Sequence, residues 1–344
     1  MKVDVLVVGA GPGGSMCALE CARAGMKVLL IDTKKNIGEP VQCAEFIPLQ
    51  LSYSLKGIDY QSAIKQEVKK MVHFTPWGEV GECDSPGYVL DRAAFDKAIA
   101  SRALEEGAVL SLKTKFLGWE DGLAVLKRLK TGEVLKLKAE FVVGADGPRS
   151  VVAKLTGEGN SYFLLSAQRT MRLNKEVKEL WVFFRSYIPG GYGWVFPKGE
   201  LANVGVGIDP KFNFSLDFAL QEFLKELRAL KVVDEVFGST GGWLPANGLL
   251  RLVRKNVVLV GDAGGFCHPI TGAGIANAVL SGALAGKSLA MGKLEQYEEE
   301  ASEVFAPPLE RAKKKRELHM QSWDRLEKIV PLTWIGFDEY WNKI

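Results

Sequence analysis

The sequence predicts an α/β protein in which two parts of the chain interleave and a short helical segment follows at the C-terminus. Three observations support this fold class. Residues 3–24 read as a strand, a glycine-rich turn and a helix; strands that run into glycine-marked turns recur near residues 139–147 and 257–264; and residues 162–207 alternate in the manner of antiparallel strands. The length of 344 residues suits two domains of ordinary size.

The first βαβ unit is the most sharply defined element. Residues 3–8 are apolar and rich in β-branched side chains, residues 15–24 are helix-like, and Gly25 ends that helix. Residues 27–31 form a second buried strand that closes with Asp32. Residues 37–48, marked by glycine and proline, follow as a loop of the kind that often serves a site.

The turn after the first strand carries a dinucleotide motif of the form G-x-G-x-x-G. Its residues are Gly9, Gly11, Pro12, Gly13 and Gly14. Glycines allow the tight turn and close approach of a pyrophosphate, while the helix N-terminus supplies N–H donors and a positive dipole. Asp32 is placed to accept hydrogen bonds from a ribose. The motif predicts a Rossmann-type domain but does not separate NAD from FAD.

The remaining pattern divides the chain into three parts. Residues 68–89 read as short β-like pieces, and the stretch from residue 90 as an amphipathic helix that ends at Gly107. We predict a discontinuous dinucleotide-binding domain over residues 1–60, 88–158 and 246–295, and a substrate domain with an antiparallel sheet over residues 61–87 and 159–245. Residues 296–344 form the helical C-terminal segment.

Composition excludes several classes of function. A net charge of +3 with dispersed Lys and Arg argues against nucleic acid as a partner. Five cysteines, an odd number, favour a reducing cytosol over a disulfide framework. We find neither a secretion signal nor an apolar segment of membrane-spanning length, and we predict no metal site. A cytoplasmic protein is therefore expected.

Two later motifs separate FAD from NAD. Residues 142–147 read V-V-G-A-D-G and residues 260–264 read V-G-D-A-G, each with an aspartate after a strand. Here the sequence resembles the FAD-dependent group that includes aromatic hydroxylases and geranylgeranyl reductases. The resemblance implies that Asp262 holds the ribityl chain and that the next helix N-terminus faces the flavin. The implied cofactor residues are Arg92, Asp146, Gly147, Asp262, Pro269, Gly272, Ala273, Gly274 and Ile275. Asp91 fits the same pattern, although a helix N-cap explains it equally well.

Within that group, two segments resemble the geranylgeranyl reductase family. Residues 40–45, P-V-Q-C-A-E, match its P-x-x-C-x-E element, which implies that Cys43 is catalytic and that Cys43 and Ala44 lie beside the flavin. Residues 192–197, Y-G-W-V-F-P, match its Y-x-W-x-F-P segment. The implied substrate-binding residues are Tyr192, Trp194, Phe196 and His268.

Three departures from the family pattern leave the substrate's length open. Ala44 and Phe46 stand where glycines often flank the glutamate, the flavin loop reads Phe266-Cys267-His268, and the C-terminal part is short. Plainer readings also stand: an inert thiol at Cys43, a loop histidine at His268, and sheet core at Trp194 and Phe196. The basic and aromatic tail suits a packed helix, with peripheral membrane contact as the alternative.

The function that these motifs favour is FAD-dependent reduction of C=C bonds in an isoprenoid, geranylgeranyl-type chain or related lipid, with hydride from reduced flavin. A flavin-dependent monooxygenase or halogenase of the same fold is the alternative. A non-catalytic flavin-binding sensor or assembly protein is a third reading. Since no second G-x-G-x-x-G follows, the electron donor is expected to be external: NAD(P)H, ferredoxin or a deazaflavin.

Overall fold

The computed structural model describes residues 2–78 and 80–342, so Met1, Glu79 and residues 343–344 of the predicted domain ranges lie outside it. Within these residues the strands are β1 (Lys2–Val8), β2 (Val28–Ile31), β3 (Phe46–Pro48), β4 (Ile64–Phe74), β5 (Val80–Leu90), β6 (Val109–Ser111), β7 (Thr114–Glu120), β8 (Leu123–Arg128), β9 (Val134–Gly144), β10 (Phe163–Leu173), β11 (Leu180–Phe183), β12 (Tyr192–Lys198), β13 (Leu201–Ile208), β14 (Val233–Pro245), β15 (Val253–Arg254) and β16 (Val257–Leu259). The helices are α1 (Pro12–Arg23), α2 (Arg92–Glu105), α3 (Val151–Leu155), α4 (Leu216–Ala229), α5 (Ile275–Ala290), α6 (Leu294–Gln321), α7 (Leu326–Thr333) and α8 (Asp338–Trp341).

The first sheet is the predicted dinucleotide-binding core. Its order is β15-β16-β9-β1-β2-β6, and β16, β9, β1, β2 and β6 run parallel. The β7–β8 hairpin joins it through antiparallel pairing of β8 with the first half of β9. Because the strands are parallel, the turns after β1, β2, β9 and β16 all lie at one edge, where open α/β sheets bind ligands.

Helices α1 and α5 lie beside this sheet and pack against each other with their backbones in close contact. A Cβ at Gly282 of α5 would stand 2.1 Å from the carbonyl oxygen of Gly13, and one at Gly286 would stand 2.8 Å from that of Cys17. Small residues on both helices therefore let their backbones touch. This contact fixes the N-terminus of α1, and with it the glycine motif, against the C-terminal part of the chain.

The second sheet is mostly antiparallel, in the order β14-β10-β13-β12-β11-β4-β5-β3, with only β11 and β4 parallel among its described pairs. Residues 68–89, read from sequence as short pieces, lie mainly in the long strands β4 and β5, because Pro76 and Gly78 mark only the turn between them. Helix α4 packs on one face through Phe223 and its neighbours. The α/β fold class is confirmed; the division into domains stays a prediction.

The C-terminal helices cover the other face of the second sheet. Trp334 and Ile329 of this segment pack with Trp194 of β12, in agreement with a packed tail. Arg316 of α6 is buried and donates to Asp209 Oδ2 at 2.7 Å and to the carbonyl oxygen of Gly190 at 2.8 Å. None of the helices in the described ranges combines the length and apolar character that crossing a bilayer requires.

His319 of α6 makes this packing sensitive to pH. Burial, and less strongly Arg316, lowers the pKa of His319 from 6.5 to about 3. The unfolded chain keeps the ordinary pKa, so it takes up the proton first as the pH falls, and the folded state loses stability below about pH 6.5.

We therefore expect His319→Gln to reduce the loss of unfolding free energy between about pH 7 and pH 5. Glutamine keeps an N–H donor near Thr333 Oγ1, which His319 Nδ1 contacts at 2.7 Å. Urea unfolding followed by tryptophan fluorescence at each pH measures the effect. Equal losses in the parent and the variant would contradict it.

Candidate functional site

The glycine motif after β1 combines packing glycines with an open cradle. A Cβ at Gly9, where φ is +109°, would stand 2.2 Å from the carbonyl oxygen of Ala145, and one at Gly14 would stand 1.9 Å from that of Gly9. A Cβ at Gly11 meets no protein atom within 4 Å. Gly11 is also the N-cap of α1 and makes no side-chain cap, with Pro12 as the first helical residue. The cradle therefore leaves backbone donors and space for a phosphate.

Asp32 stands at the end of β2 beside this cradle. Its carboxylate accepts from the backbone N–H of Ala10 at 2.9 Å and from that of Lys34 at 2.9 Å. These bonds fix the side chain next to the glycine turn. The predicted contact with a ribose is therefore sterically consistent, although the carboxylate already has two donors.

The Asp146 side chain, after β9, hydrogen-bonds to residues at the N-terminus of α3. Its carboxylate accepts from Ser150 Oγ at 2.5 Å and from the backbone N–H of Val151 at 2.7 Å, at the start of α3. Gly147, with φ +81°, faces open space instead, since a Cβ there meets nothing within 4 Å. A cofactor contact through the backbone of Gly147 suits this geometry better than one through the carboxylate.

Asp262 after β16 is the carboxylate best suited to a bound group. Burial raises its pKa to about 6, partly opposed by Arg92, and no described residue donates a hydrogen bond to its carboxylate. The side chain lies against Gly274, where a Cβ would stand 3.2 Å from Oδ1. Gly274 is the N-cap of α5 and makes no side-chain cap. A half-buried carboxylate that no described residue hydrogen-bonds, beside a free helix N-terminus, fits the ribityl hydroxyls and the anionic edge of a reduced flavin.

Helix α5 begins with Ile275, after a loop in which His268 bonds to its own neighbours. The backbone N–H of His268 donates to the carbonyl oxygen of Ala273 at 2.9 Å, and the carbonyl oxygen of His268 accepts from the backbone N–H of Gly272 at 2.9 Å. Its Nδ1 accepts from the backbone N–H of Thr271 at 3.2 Å. Burial lowers its pKa to about 4, so the imidazole is neutral near pH 7. The carbonyl oxygen of Pro269 accepts from Arg316 at 3.3 Å. These contacts give His268 a loop-shaping role, and its contact with substrate stays a prediction.

Cys43 and Arg92 lie together at the N-terminus of α2. Arg92 pairs with Asp96 through Nε and Oδ1 at 2.7 Å, and its positive charge partly offsets the burial that raises the pKa of the Cys43 thiol. The thiol is therefore protonated near pH 7. Asp91 is the N-cap of α2, accepting from the N–H of Ala94 at 3.0 Å, as its alternative reading predicted.

One glutamine joins the loop of residues 40–45, called the Cys43 loop, to strand β12, which carries the Y-x-W-x-F-P segment. Gln168 of β10 donates from Nε2 to the carbonyl oxygen of Cys43 at 3.0 Å and accepts at Oε1 from Trp194 Nε1 at 3.0 Å. The two segments that resemble the family are therefore neighbours in space, although Cys43 and Trp194 are 151 positions apart in sequence.

Aromatic side chains surround this junction. The hydroxyl of Tyr192 donates to the carbonyl oxygen of Thr271, and its ring lies 5.9 Å from that of Trp194 and 4.8 Å from that of Trp334. Burial raises the pKa of Tyr192, and the nearby Cys267 and Cys43 raise it further. Phe196 packs edge-on against Phe46, with ring centroids 6.5 Å apart.

Four residues of the junction are absent from the residues predicted from sequence: Glu45, Gln168, Lys198 and Asn203. Glu45 is 2% exposed, and its carboxylate accepts from Lys198 Nζ at 2.5 Å and Asn203 Nδ2 at 2.5 Å. A glutamate within the P-x-x-C-x-E element was the one available signal. Asn203 opens the N-V-G-V-G stretch that follows the Y-x-W-x-F-P segment, which was a weaker signal. Nothing in the local sequence marks Gln168 or Lys198, because their partners lie far away along the chain.

Comparison with known proteins agrees with both halves of this site. Residues 4–40 match the family model described as FAD dependent oxidoreductase, and residues 165–239 match the one described as geranylgeranyl reductase catalytic domain. Digeranylgeranylglycerophospholipid reductase of Methanocaldococcus jannaschii is 34% identical over 95% of this chain and 86% of its own length. The protein of the same name from Methanothrix thermoacetophila is 36% identical over 84% of this chain and 78% of its own.

Solved structures support the same conclusion. A geranylgeranyl bacteriochlorophyll reductase-like protein of Thermoplasma acidophilum superposes with a TM-score of 0.85 at 29% identity, over 98% of this chain and 92% of that one. A flavin-dependent brominase superposes with a TM-score of 0.73 at 17% identity, over 95% and 90%, and shares the fold alone. These findings confirm the predicted enzyme class and cofactor: the chain belongs to the geranylgeranyl reductase family of FAD-dependent oxidoreductases, and its cofactor is FAD.

Proposed function

We propose that this enzyme saturates C=C bonds in the geranylgeranyl-type chains of a lipid, and that the reaction takes place between the Cys43 loop and the Tyr192–Trp194 segment. The observation that carries the proposal is the Gln168 bridge, which joins the thiol loop to Trp194 by two hydrogen bonds of 3.0 Å. A protonated thiol and an aromatic surface suited to an apolar chain therefore lie together.

Each saturation needs a hydride at one carbon and a proton at the other. Reduced FAD supplies the hydride when bound. The proposed role of Cys43 is to hold the proton at Sγ: the S–H bond breaks as the second C–H bond forms, and the thiolate regains a proton from solvent. Because burial raises the pKa of this thiol, Cys43 retains its proton near pH 7. The Tyr192 and Trp194 rings exclude water from the chain being reduced.

The substrate class rests on the relatives. Proteins that cover most of this chain carry the name digeranylgeranylglycerophospholipid reductase. We therefore propose a lipid with geranylgeranyl chains as substrate. With chemically reduced holoenzyme under anaerobic conditions, we expect flavin reoxidation and a mass increase of two hydrogens per reduced bond. Flavin that stays reduced with geranyl, farnesyl and geranylgeranyl lipids contradicts the proposal.

The monooxygenase or halogenase reading makes a different prediction in that assay. It requires oxygen for product formation and yields a hydroxylated or halogenated product. The brominase likeness, at 17% identity, supports only the shared fold. The same reaction run with and without oxygen therefore separates the two readings.

The electron donor is proposed to be external to the chain, because a single G-x-G-x-x-G occurs in the sequence. Anaerobic stopped-flow reduction of the bound flavin by NADH, NADPH, reduced ferredoxin and reduced deazaflavin ranks the four donors. The physiological class is the one that reduces the flavin at least as fast as the enzyme turns over.

We also propose peripheral contact with a lipid surface, because a lipid substrate has to reach the site from a bilayer or a carrier. Trp341 is 57% exposed and lies near Arg311, which makes a cation–π contact at 5.5 Å. An aromatic ring beside a cationic side chain suits the interfacial region of a membrane. Sedimentation with anionic vesicles, weakened by Trp341→Ser, tests the contact.

A further inference from the structure

The carboxylate of Glu45 is the point at which helix α2 and the second sheet together hold the Cys43 loop. Its Oε1 accepts from the backbone N–H of Arg92, the first residue of α2, at 2.8 Å. Its Oε2 accepts from Lys198 of β12 and Asn203 of β13, both at 2.5 Å. Burying a carboxylate is unfavourable unless its charge is compensated and its oxygens are hydrogen-bonded, and here both conditions are met.

The backbone of Glu45 makes the same junction. Its φ is +72°, in the left-handed region that side-chain-bearing residues rarely adopt, so the conformation is held against a local cost. Its N–H donates to the Cys43 Sγ at 3.2 Å, and its carbonyl oxygen accepts from the N–H of Leu90 at 2.9 Å. Asn203 also donates to the carbonyl oxygen of Ala44 at 3.3 Å. The loop is therefore fixed at the two residues that directly follow the thiol.

The groups that face the thiol come from several elements. Arg92 approaches from α2 and Glu45 from the loop itself, while Tyr192 of β12 and Cys267 of the flavin loop are close enough to interact electrostatically. The negative charge of Glu45 raises the pKa of the Cys43 thiol, and the positive charge of Arg92 lowers it. Lys198, paired with Glu45, partly compensates the first of these charges.

We propose that Glu45 is the positioning residue of this site: its carboxylate, held by Lys198 and Asn203, fixes the Cys43 thiol in place beside Arg92. The inference rests on the proposed function in that the positioned thiol is the acid of the reduction. Glu45 itself acts through Cys43. Lys198 is the partner that keeps its charge compensated.

The decisive readout is the alkylation rate of Cys43 across a pH series, measured by peptide mass spectrometry on both apo- and holoprotein. Glu45→Gln removes the carboxylate charge, so the pH midpoint of Cys43 alkylation is expected to fall. Lys198→Met leaves the carboxylate uncompensated, so the midpoint is expected to rise. A purely structural loosening of the loop moves both variants in the same direction, and that result overturns the proposal.

Activity supplies the second readout. We expect Glu45→Gln to lower kcat about 10-fold, with KM changed less than about 3-fold, the loss expected of a misplaced catalytic acid. Glu45→Gly relieves the backbone at φ +72° but removes the carboxylate, so it is expected to be equally impaired. Wild-type kcat in Glu45→Gly means that only the backbone conformation matters, and overturns the proposal.

The matched control is Glu82→Gln, which breaks an exposed pair between Glu82 of β5 and Lys70 of β4. It is expected to leave both the alkylation midpoint and kcat unchanged. Failure of the proposed function gives a different result from failure of this inference. If only the proposed function is wrong, the parent enzyme reduces no lipid, but the alkylation midpoints of Glu45→Gln and Lys198→Met still shift in opposite directions. Should Glu45→Gln not fold, Lys198→Met and Glu45→Asp carry the test, with a raised midpoint in the first and near-parent values in the second.

Discussion

Replacing Gly11 with valine is expected to lower the affinity for FAD by about 100-fold, or roughly 2.7 kcal/mol, while leaving the apoprotein folded. A Cβ at Gly11 meets no protein atom within 4 Å, and the residue has an ordinary extended backbone, with φ −77°. The side chain therefore costs the fold little more than a poorer helix cap, about 1 kcal/mol or less. It fills the space that the pyrophosphate needs.

Gly14→Ala is the contrasting variant. Its Cβ would stand 1.9 Å from the backbone carbonyl oxygen of Gly9, so the fold itself should lose about 3 kcal/mol. Flavin fluorescence titration gives the dissociation constant, and urea unfolding of the apoprotein gives the stability. Gly11→Val with normal FAD affinity would mean that the phosphates do not lie in this cradle.

The parts of the site that could be predicted from sequence depend on short-range patterns. Gly9 to Gly14, Asp32 and Asp262 each follow a parallel strand, and parallel strands end at the same edge of a sheet. A local reading was therefore enough to place them together. Ala44, Cys43 and Arg92 came from the family resemblance instead, because residues 40–45 match its P-x-x-C-x-E element and Asp91-Arg92 fits the pattern of the FAD-dependent group.

The residues that were missed act across long sequence separations. Glu45 meets Asn203 across 158 positions, and Gln168 meets Cys43 across 125. Only the pairing of the second sheet creates these contacts. Arg316 is a similar case: it lies in a basic run that suggests a solvated face, but it is buried against Asp209. A charge in a run of like charges gives no local sign of such a partner.

The parts of the chain that form the first and the second sheet also differ in how well the sequence predicts their strands and helices. In the βαβ unit an apolar run typical of a buried strand, a glycine turn motif and a helix-like stretch follow one another, so few other assignments of secondary structure fit this part of the sequence. In β4 and β5, glycine and proline residues interrupt the alternation, and the long hairpin forms because β11 pairs with β4 and β3 with β5. The neighbouring strands decide the extent of these two strands.

Replacing Cys43 with alanine is expected to lower kcat for double-bond reduction by about 100-fold, within the range for loss of a general acid. Affinity for FAD should change less than about 3-fold, because the thiol bonds to the N–H of Glu45 at 3.2 Å while the glycine cradle and Asp262 are untouched. Rapid-quench measurement of lipid mass, with flavin reoxidation followed in parallel, separates the chemical step from cofactor binding.

The protonation state of the Cys43 thiol decides in which direction kcat changes with pH. Burial raises the pKa of Cys43 and Arg92 opposes that rise, so the acid form persists at neutral pH. If Cys43 donates the proton, kcat of the parent falls as the pH rises through that raised pKa, and Cys43→Ala abolishes this limb of the profile. Cys83→Ala is the control, since that half-buried thiol of β5 interacts with Ser85 and not with Arg92. An alanine variant that keeps both its rate and its alkaline limb would assign the proton to solvent, and the buried thiol would then serve only to shape the loop beside Trp194.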